Sequence, residues 1–125
     1  MAETTNPPAA LLLCDDLMWV SRITSTGQVL GYKILGAPSV EKLEALARRA
    51  PPRCIILDLA TSNASASEVV TRLRAASGSA PRFTAFGSHV DTATLQAAHD
   101  AGCDPVLPRS QMAESLPELL KQWLS

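Results

Sequence analysis

Apolar residues in this chain gather in short, nearly continuous runs separated by segments of helical spacing. The runs at Ala9 to Cys14, Arg53 to Leu57, Arg82 to Phe86 and Cys103 to Leu107 stand out, with a weaker one at Tyr32 to Leu35. Their length fits strands, and their lack of apolar–polar alternation fits strands of a parallel sheet covered on both faces. The intervening segments carry helix signals. Asp16 is a good N-cap ahead of Leu17, Val20 and Ile23, and Gly31 offers a stop. Ser39 caps a second helix that turns Leu43 and Leu46 inward, and Ser65-x-x-Glu68 is a capping box before Val69, Val70 and Leu73. Asp91 opens a fourth helix that ends at Gly102. Ser115-x-x-Glu118 opens a fifth, with Leu116, Leu119, Leu120, Trp123 and Leu124 on one stripe and Pro117 in the first turn.

Strand and helix thus alternate five times, with connections too long for hairpins and suited to right-handed crossovers. The expected architecture is a doubly wound α/β domain, (βα)5, with the flavodoxin-like strand order 2-1-3-4-5. Ligands of such open sheets bind outside the carboxyl ends of the strands, near the switch point. Residues 1–8, polar and closed by Pro7-Pro8, read as a disordered lead-in, and residues 9–125 as one domain.

The chain is 46% apolar and 18% charged with a net charge of −1, so nothing draws it broadly to nucleic acid or an anionic membrane. The longest clean apolar run is too short for a membrane span or a secretory core, and the expected location is the cytoplasm. Cys14, Cys54 and Cys103 lie in or beside apolar runs without a Cys-x-x-Cys spacing, and read as reduced, buried small hydrophobes. Asn63-Ala64-Ser65 matches a glycosylation sequon that has no consequence without a secretory route.

The candidate chemistry lies at the strand ends. Asp15 and Asp16 close the first strand and Asp58 closes the third, its neighbour in the expected order, so the carboxylates converge. Like charges held close raise a pKa or call for a cation, and an oxygen-rich site with few protein ligands suits Mg2+. Beside such an ion Asp58 becomes a carboxylate nucleophile toward an activated phosphoryl group.

Leu12-Leu13-Cys14-Asp15-Asp16 and Ile55-Ile56-Leu57-Asp58-Leu59 resemble the acidic-pair strand and the phospho-acceptor strand of response-regulator receiver domains of the CheY-like family. Ala98 to Asp104 is similar to that family's Ala-Gly ending of the fourth helix, and Pro108-Arg109-Ser110 holds its Lys-Pro position. The resemblance implies a two-component phosphorelay module, not an enzyme, that accepts a phosphoryl group on Asp58 as a phosphoprotein. It implies Mg2+ held by Asp15, Asp16, Asp58 and the backbone carbonyl of Ala60, with Arg109, Gly87 and Ser88 contacting phosphate. It also implies a histidine kinase or phosphotransfer protein upstream, and a protein partner or self-association downstream.

Departures from the family pattern mark an atypical member. Arg109 replaces the lysine and Ser110 the following proline, which removes the X-Pro bond expected to be cis there. Gly87 stands where a Thr or Ser hydroxyl is usual, and Val106 stands for a switching aromatic. Ala60 to Ala64 lacks the usual Met-Pro and Gly. These exchanges keep a second function open, a phosphorylation-independent pseudo-receiver that binds other proteins. A flavin or nucleotide binder is disfavoured, because Asp15-Asp16-Leu17 fills the place of a glycine-rich loop. His89 reads as a loop residue or a pocket-rim donor, with a phosphorelay role as the alternative, His99 as a solvated helix residue, and Trp19 as core or as a platform for a partner helix.

Overall fold

The computed structural model describes residues 7–61 and 65–125. Residues 1–6 of the expected 1–8 lead-in, the sequon asparagine and the end of the Ala60 to Ala64 loop lie outside them. The elements run β1 (Ala10–Leu13), α1 (Leu17–Val29), β2 (Ile34–Ala37), α2 (Val40–Arg49), β3 (Cys54–Asp58), α3 (Ala66–Ser77), β4 (Arg82–Gly87), α4 (Thr92–Asp100), β5 (Val106–Pro108), α5 (Arg109–Glu114) and α6 (Leu116–Leu124). The strands form one sheet in the order β2-β1-β3-β4-β5, every neighbouring pair parallel. The doubly wound (βα)5 expectation therefore holds in class and strand order.

Parity along the strands explains the layers, because successive side chains leave a strand on opposite faces. Leu12 and Cys14 on the β1 segment, Cys54 and Ile56 on β3 and Phe86 on β4 pack with Ile23 of α1, Met112 of α5 and the α6 stripe. Leu11, Leu13, Ile55, Leu57, Phe83 and Ala85 pack on the other face, against Leu43, Val70, Leu73 and Ala98 from α2, α3 and α4. Both faces are dry, which is why these strands read as continuous apolar runs.

Most caps match the sequence signals. Asp16 accepts from the N–H groups of Met18 and Trp19, Ser39 from Lys42, Ser65 from Glu68 and Asp91 from Thr94. Gly31 and Gly102 follow α1 and α4 at φ +89° and +108°, values that favour glycine.

Other expectations need correction. The second strand starts two residues later than its apolar pattern indicates, because Tyr32 still closes the end of α1 through a bond from its N–H to the Gly27 carbonyl at 2.8 Å. Gly36 is within β2, where Val20 lies 3.0 Å from the place of an added Cβ. The last strand also starts late, at Val106, after a cis Asp104–Pro105 bond that sits at the strand entrance and not at Arg109-Ser110. The expected fifth helix is preceded by a short additional one, α5. Ser115 does not act as a capping box; it makes no side-chain cap bond, and its backbone bonds to Gln111 and from Leu119 carry the chain from α5 into α6. Pro117 lacks the N–H that would continue α5 unbroken, and the helical stretch divides just before it, at Ser115.

Candidate site at the carboxyl ends of the strands

Asp58 shares its parity with Cys54 and Ile56, so its carboxylate turns toward the α1 and α5 side, where it is 2% exposed. The β1–β3 register pairs Leu13 with Leu57, which brings Cys14 beside Asp58 on the same face. The Cys14 thiol donates to Asp58 Oδ2 at 3.2 Å. Asp58 Oδ1 accepts from Arg109 Nη2 at 2.9 Å and from the Ala60 N–H at 3.0 Å. Both carboxylate oxygens are thus engaged by protein donors, as a buried charge requires. Burial pushes the Cys14 thiol up to about 12, so it remains a donor throughout the physiological range. This thiol contact escaped the sequence reading, which treated Cys14 only as a hydrophobe; strand parity and register were the signals that carried it.

The guanidinium of Arg109 lies 5.7 Å from the Phe86 ring centroid, and Phe86 meets Trp19 at 5.1 Å. Arg22 sits over Trp19 at 5.6 Å and donates to the Ala113 carbonyl at 2.9 Å. A continuous stack therefore links Asp58 through Arg109, Phe86 and Trp19 to the junction of α1 and α5. Trp19 is half-buried within it, and beside it Leu17 and Met18 are 81% and 82% exposed.

The remaining expected site residues are arranged differently from the resemblance. Asp16 spends its carboxylate on the α1 N-cap, with Oδ1 3.0 Å from Met18 N and 3.4 Å from Trp19 N. Asp15 is exposed, and its Oδ1 accepts from the Thr61 hydroxyl at 3.2 Å. Gly87 is closely packed, since an added Cβ would lie 3.3 Å from Leu59. Ser88 Oγ accepts from the Val90 N–H at 3.4 Å in a local turn. With Gly87, Leu59 and Arg109 it lines a cavity of 70 Å³. His89 and His99 are both exposed.

A divalent ion does not fit this arrangement. Among the described residues no group of three or more His, Cys, Asp or Glu side chains is placed to hold one. Asp16 is committed to the helix cap, and Asp58 already has a cation and two further donors. Leu13, Leu57 and Asp58 also border a separate cavity of 490 Å³ between α3 and α4, lined chiefly by apolar side chains. No helix of the described residues is long and apolar enough to cross a membrane. All three cysteines are free and buried.

No protein-family model matches the chain, and no curated protein sequence matches it. Solved structures do. A response regulator from Thermotoga maritima matches with a TM-score of 0.75 at 12% identity, over 95% of this chain and 98% of that one. The receiver domain of the sensor histidine kinase PA1611 from Pseudomonas aeruginosa, with a magnesium ion in its active-site cleft, matches with 0.76 at 16% identity, over 95% and 98%. The receiver domain of Ssk1 from Saccharomyces cerevisiae, in complex with the histidine phosphotransfer protein Ypd1, matches with 0.74 at 14% identity, over 97% and 92%. With its parallel sheet in the order 2-1-3-4-5 and an aspartate at the end of β3, the chain has the CheY-like fold of response-regulator receiver domains.

Proposed function

We propose that this chain is a receiver-fold signalling module, not an enzyme, that works in the cytoplasm by binding another protein, without phosphoryl transfer at Asp58. One observation carries the reading: both oxygens of the buried Asp58 carboxylate are held by Arg109, Ala60 and Cys14. Three donors on a carboxylate draw charge from its oxygens and make it a weaker nucleophile toward an incoming group. Two further features support it. Leu59 closes on Gly87, where a hydroxyl would be needed to report on the pocket, and Asp16 serves the helix cap. The surface that suits a partner is the start of α1, where Leu17 and Met18 present apolar side chains next to the exposed Asp15. Apolar anchors with a charged rim are a common form of protein interface.

A second reading keeps one specific observation in its favour. Arg109 lies 2.9 Å from Asp58, and a guanidinium there can take phosphoryl oxygens as readily as a carboxylate. On that reading a histidine kinase or phosphotransfer protein phosphorylates Asp58, with Mg2+ required, and Arg109 and the Gly87–Ser88 segment contact the phosphate. The experiment that separates the two is intact-mass analysis after treatment with acetyl phosphate and Mg2+. The interaction-module reading expects no added phosphoryl mass. It also expects partner capture from the source cytosol to be equal for wild type and Asp58→Asn, and lost for Leu17→Asp/Met18→Asp. One phosphoryl group on wild type and none on Asp58→Asn would replace it with the second reading.

A further inference from the structure

The pocket poses an electrostatic problem that the fold solves within the chain. A carboxylate buried at a strand end needs a cation, and two other aspartates close the neighbouring strand. We propose that Arg109 is the resident cation of this pocket. Its guanidinium neutralises Asp58 in place of a divalent ion, keeps the carboxyl end of the sheet closed without metal, and blocks Mg2+ uptake until it is removed. The inference deepens the interaction-module reading above and is tested separately from it.

Four observations carry it. Arg109 Nη2 bonds Asp58 Oδ1 at 2.9 Å, and the Asp58 side chain is 3% exposed, so little water competes. The guanidinium also lies over the Phe86 ring, a second attraction that fixes its position. The other oxygen is taken by the Cys14 thiol, which donates to it at 3.2 Å. The acidic pair is occupied elsewhere, Asp16 at the α1 cap and Asp15 with Thr61. Arginine stays charged at every relevant pH, so the arrangement is permanent where an ammonium or a bound ion would be conditional. Removing the guanidinium frees Asp58 Oδ1, and the residues that follow β1 add the exposed Asp15 carboxylate and the Asp16 Oδ2 that the α1 cap does not use, oxygen donors that a hydrated hard divalent ion can draw together.

The test uses the full chain freed of metal, with Mn2+ binding followed by water-proton relaxation and melting followed by circular dichroism. Wild type is expected to retain no Mn2+ and to shift its Tm by less than about 1 °C in roughly 10 mM Mg2+. Arg109→Met keeps an apolar stem against Phe86. It should melt lower, regain stability with Mg2+, and bind Mn2+ at least about tenfold more tightly than wild type. Arg109→Met/Asp58→Asn should melt above Arg109→Met without metal and lose the response to it. Asp58-dependent Mn2+ binding by wild type would overturn the proposal, as would Arg109→Met gaining no affinity. If Arg109→Met fails to fold, Arg109→Gln, which removes the charge and keeps a polar side chain, decides. A gain in Mn2+ affinity over wild type supports the resident cation, and no gain overturns it. Metal binding by wild type leaves a partner capture insensitive to Asp58→Asn standing, so the two claims fail on different measurements.

Discussion

The two layers that cover the sheet each contain an arginine–carboxylate pair, and the better-formed pair is the one whose loss should matter less. Between α2 and α3, Arg72 grips Glu44 with Nε at 3.0 Å and Nη2 at 2.6 Å, and Glu41 and Glu68 stand 3.6 Å from the same guanidinium. At the carboxyl end of β3, Arg109 reaches Asp58 through a single contact of 2.9 Å. The two arginine side chains are equally exposed at 31%, but Glu44 retains 13% of its surface and Asp58 only 3%. Water reaches Glu44 and can solvate it when the arginine is gone; Asp58 has no such recourse. Burial of the carboxylate, more than the number of bonds, sets what removing each arginine costs.

The largest effect should therefore come from Arg109→Met, which strands a buried charge and is expected to cost about 3 kcal/mol in urea unfolding. Arg72→Met should lose much less, and its deficit should vanish in about 1 M salt while that of Arg109→Met persists. Equal losses, or equal salt sensitivity, would break the contrast.

The two regions should also fail at opposite ends of the pH scale. Burial raises the Cys14 thiol from 9.0 to about 12, so its contribution is complete below the unfolded value and is lost as pH climbs from 9 toward 12. Cys54 and Cys103, both raised to about 11, add to the same alkaline loss. The bond to Arg72 holds Glu44 below its ordinary 4.5, so that contribution is present above 4.5 and lost as pH falls through the lowered value. Cys14→Ala should soften the alkaline transition, and Glu44→Gln the acid one, each leaving the other limb in place. Urea midpoints collected across pH would read both limbs.

Gly87→Ala sharpens the pocket side further with the smallest expected change. The new Cβ would press Leu59 at 3.3 Å, at a cost of about 1 kcal/mol for mild overpacking. A neutral or stabilising result would mean that Leu59 yields freely and that the site can admit a side chain.

The class of fold was legible because each signal is local. Dry strands appear as unbroken apolar runs, and Asp16, Ser39, Ser65 and Asp91 satisfy N–H groups within three residues of themselves. The strands at Ile34 and Val106 were misplaced because their starts depend on contacts from outside the segment. Tyr32 is claimed by the end of α1, and the approach to β5 is set by its bonds to β4. Ser115 misled for a related reason, since a capping box and a kink between two helical segments present the same residues, and only the continuity of backbone bonds from α5 separates them.

By itself the sequence determined the alternation of strands and helices, the strand order through the fold class, and the three aspartates at strand ends. Local hydrogen-bonding preferences and apolar periodicity act over a few residues, and a linear text contains them. Tertiary structure alone decided what those aspartates do. Asp16 turned to its helix, Asp15 to Thr61, and Asp58 to Arg109 and Cys14, residues 51 and 44 positions away. Whether a carboxylate holds a metal or an arginine depends on the direction and burial of side chains that meet only after the sheet has formed.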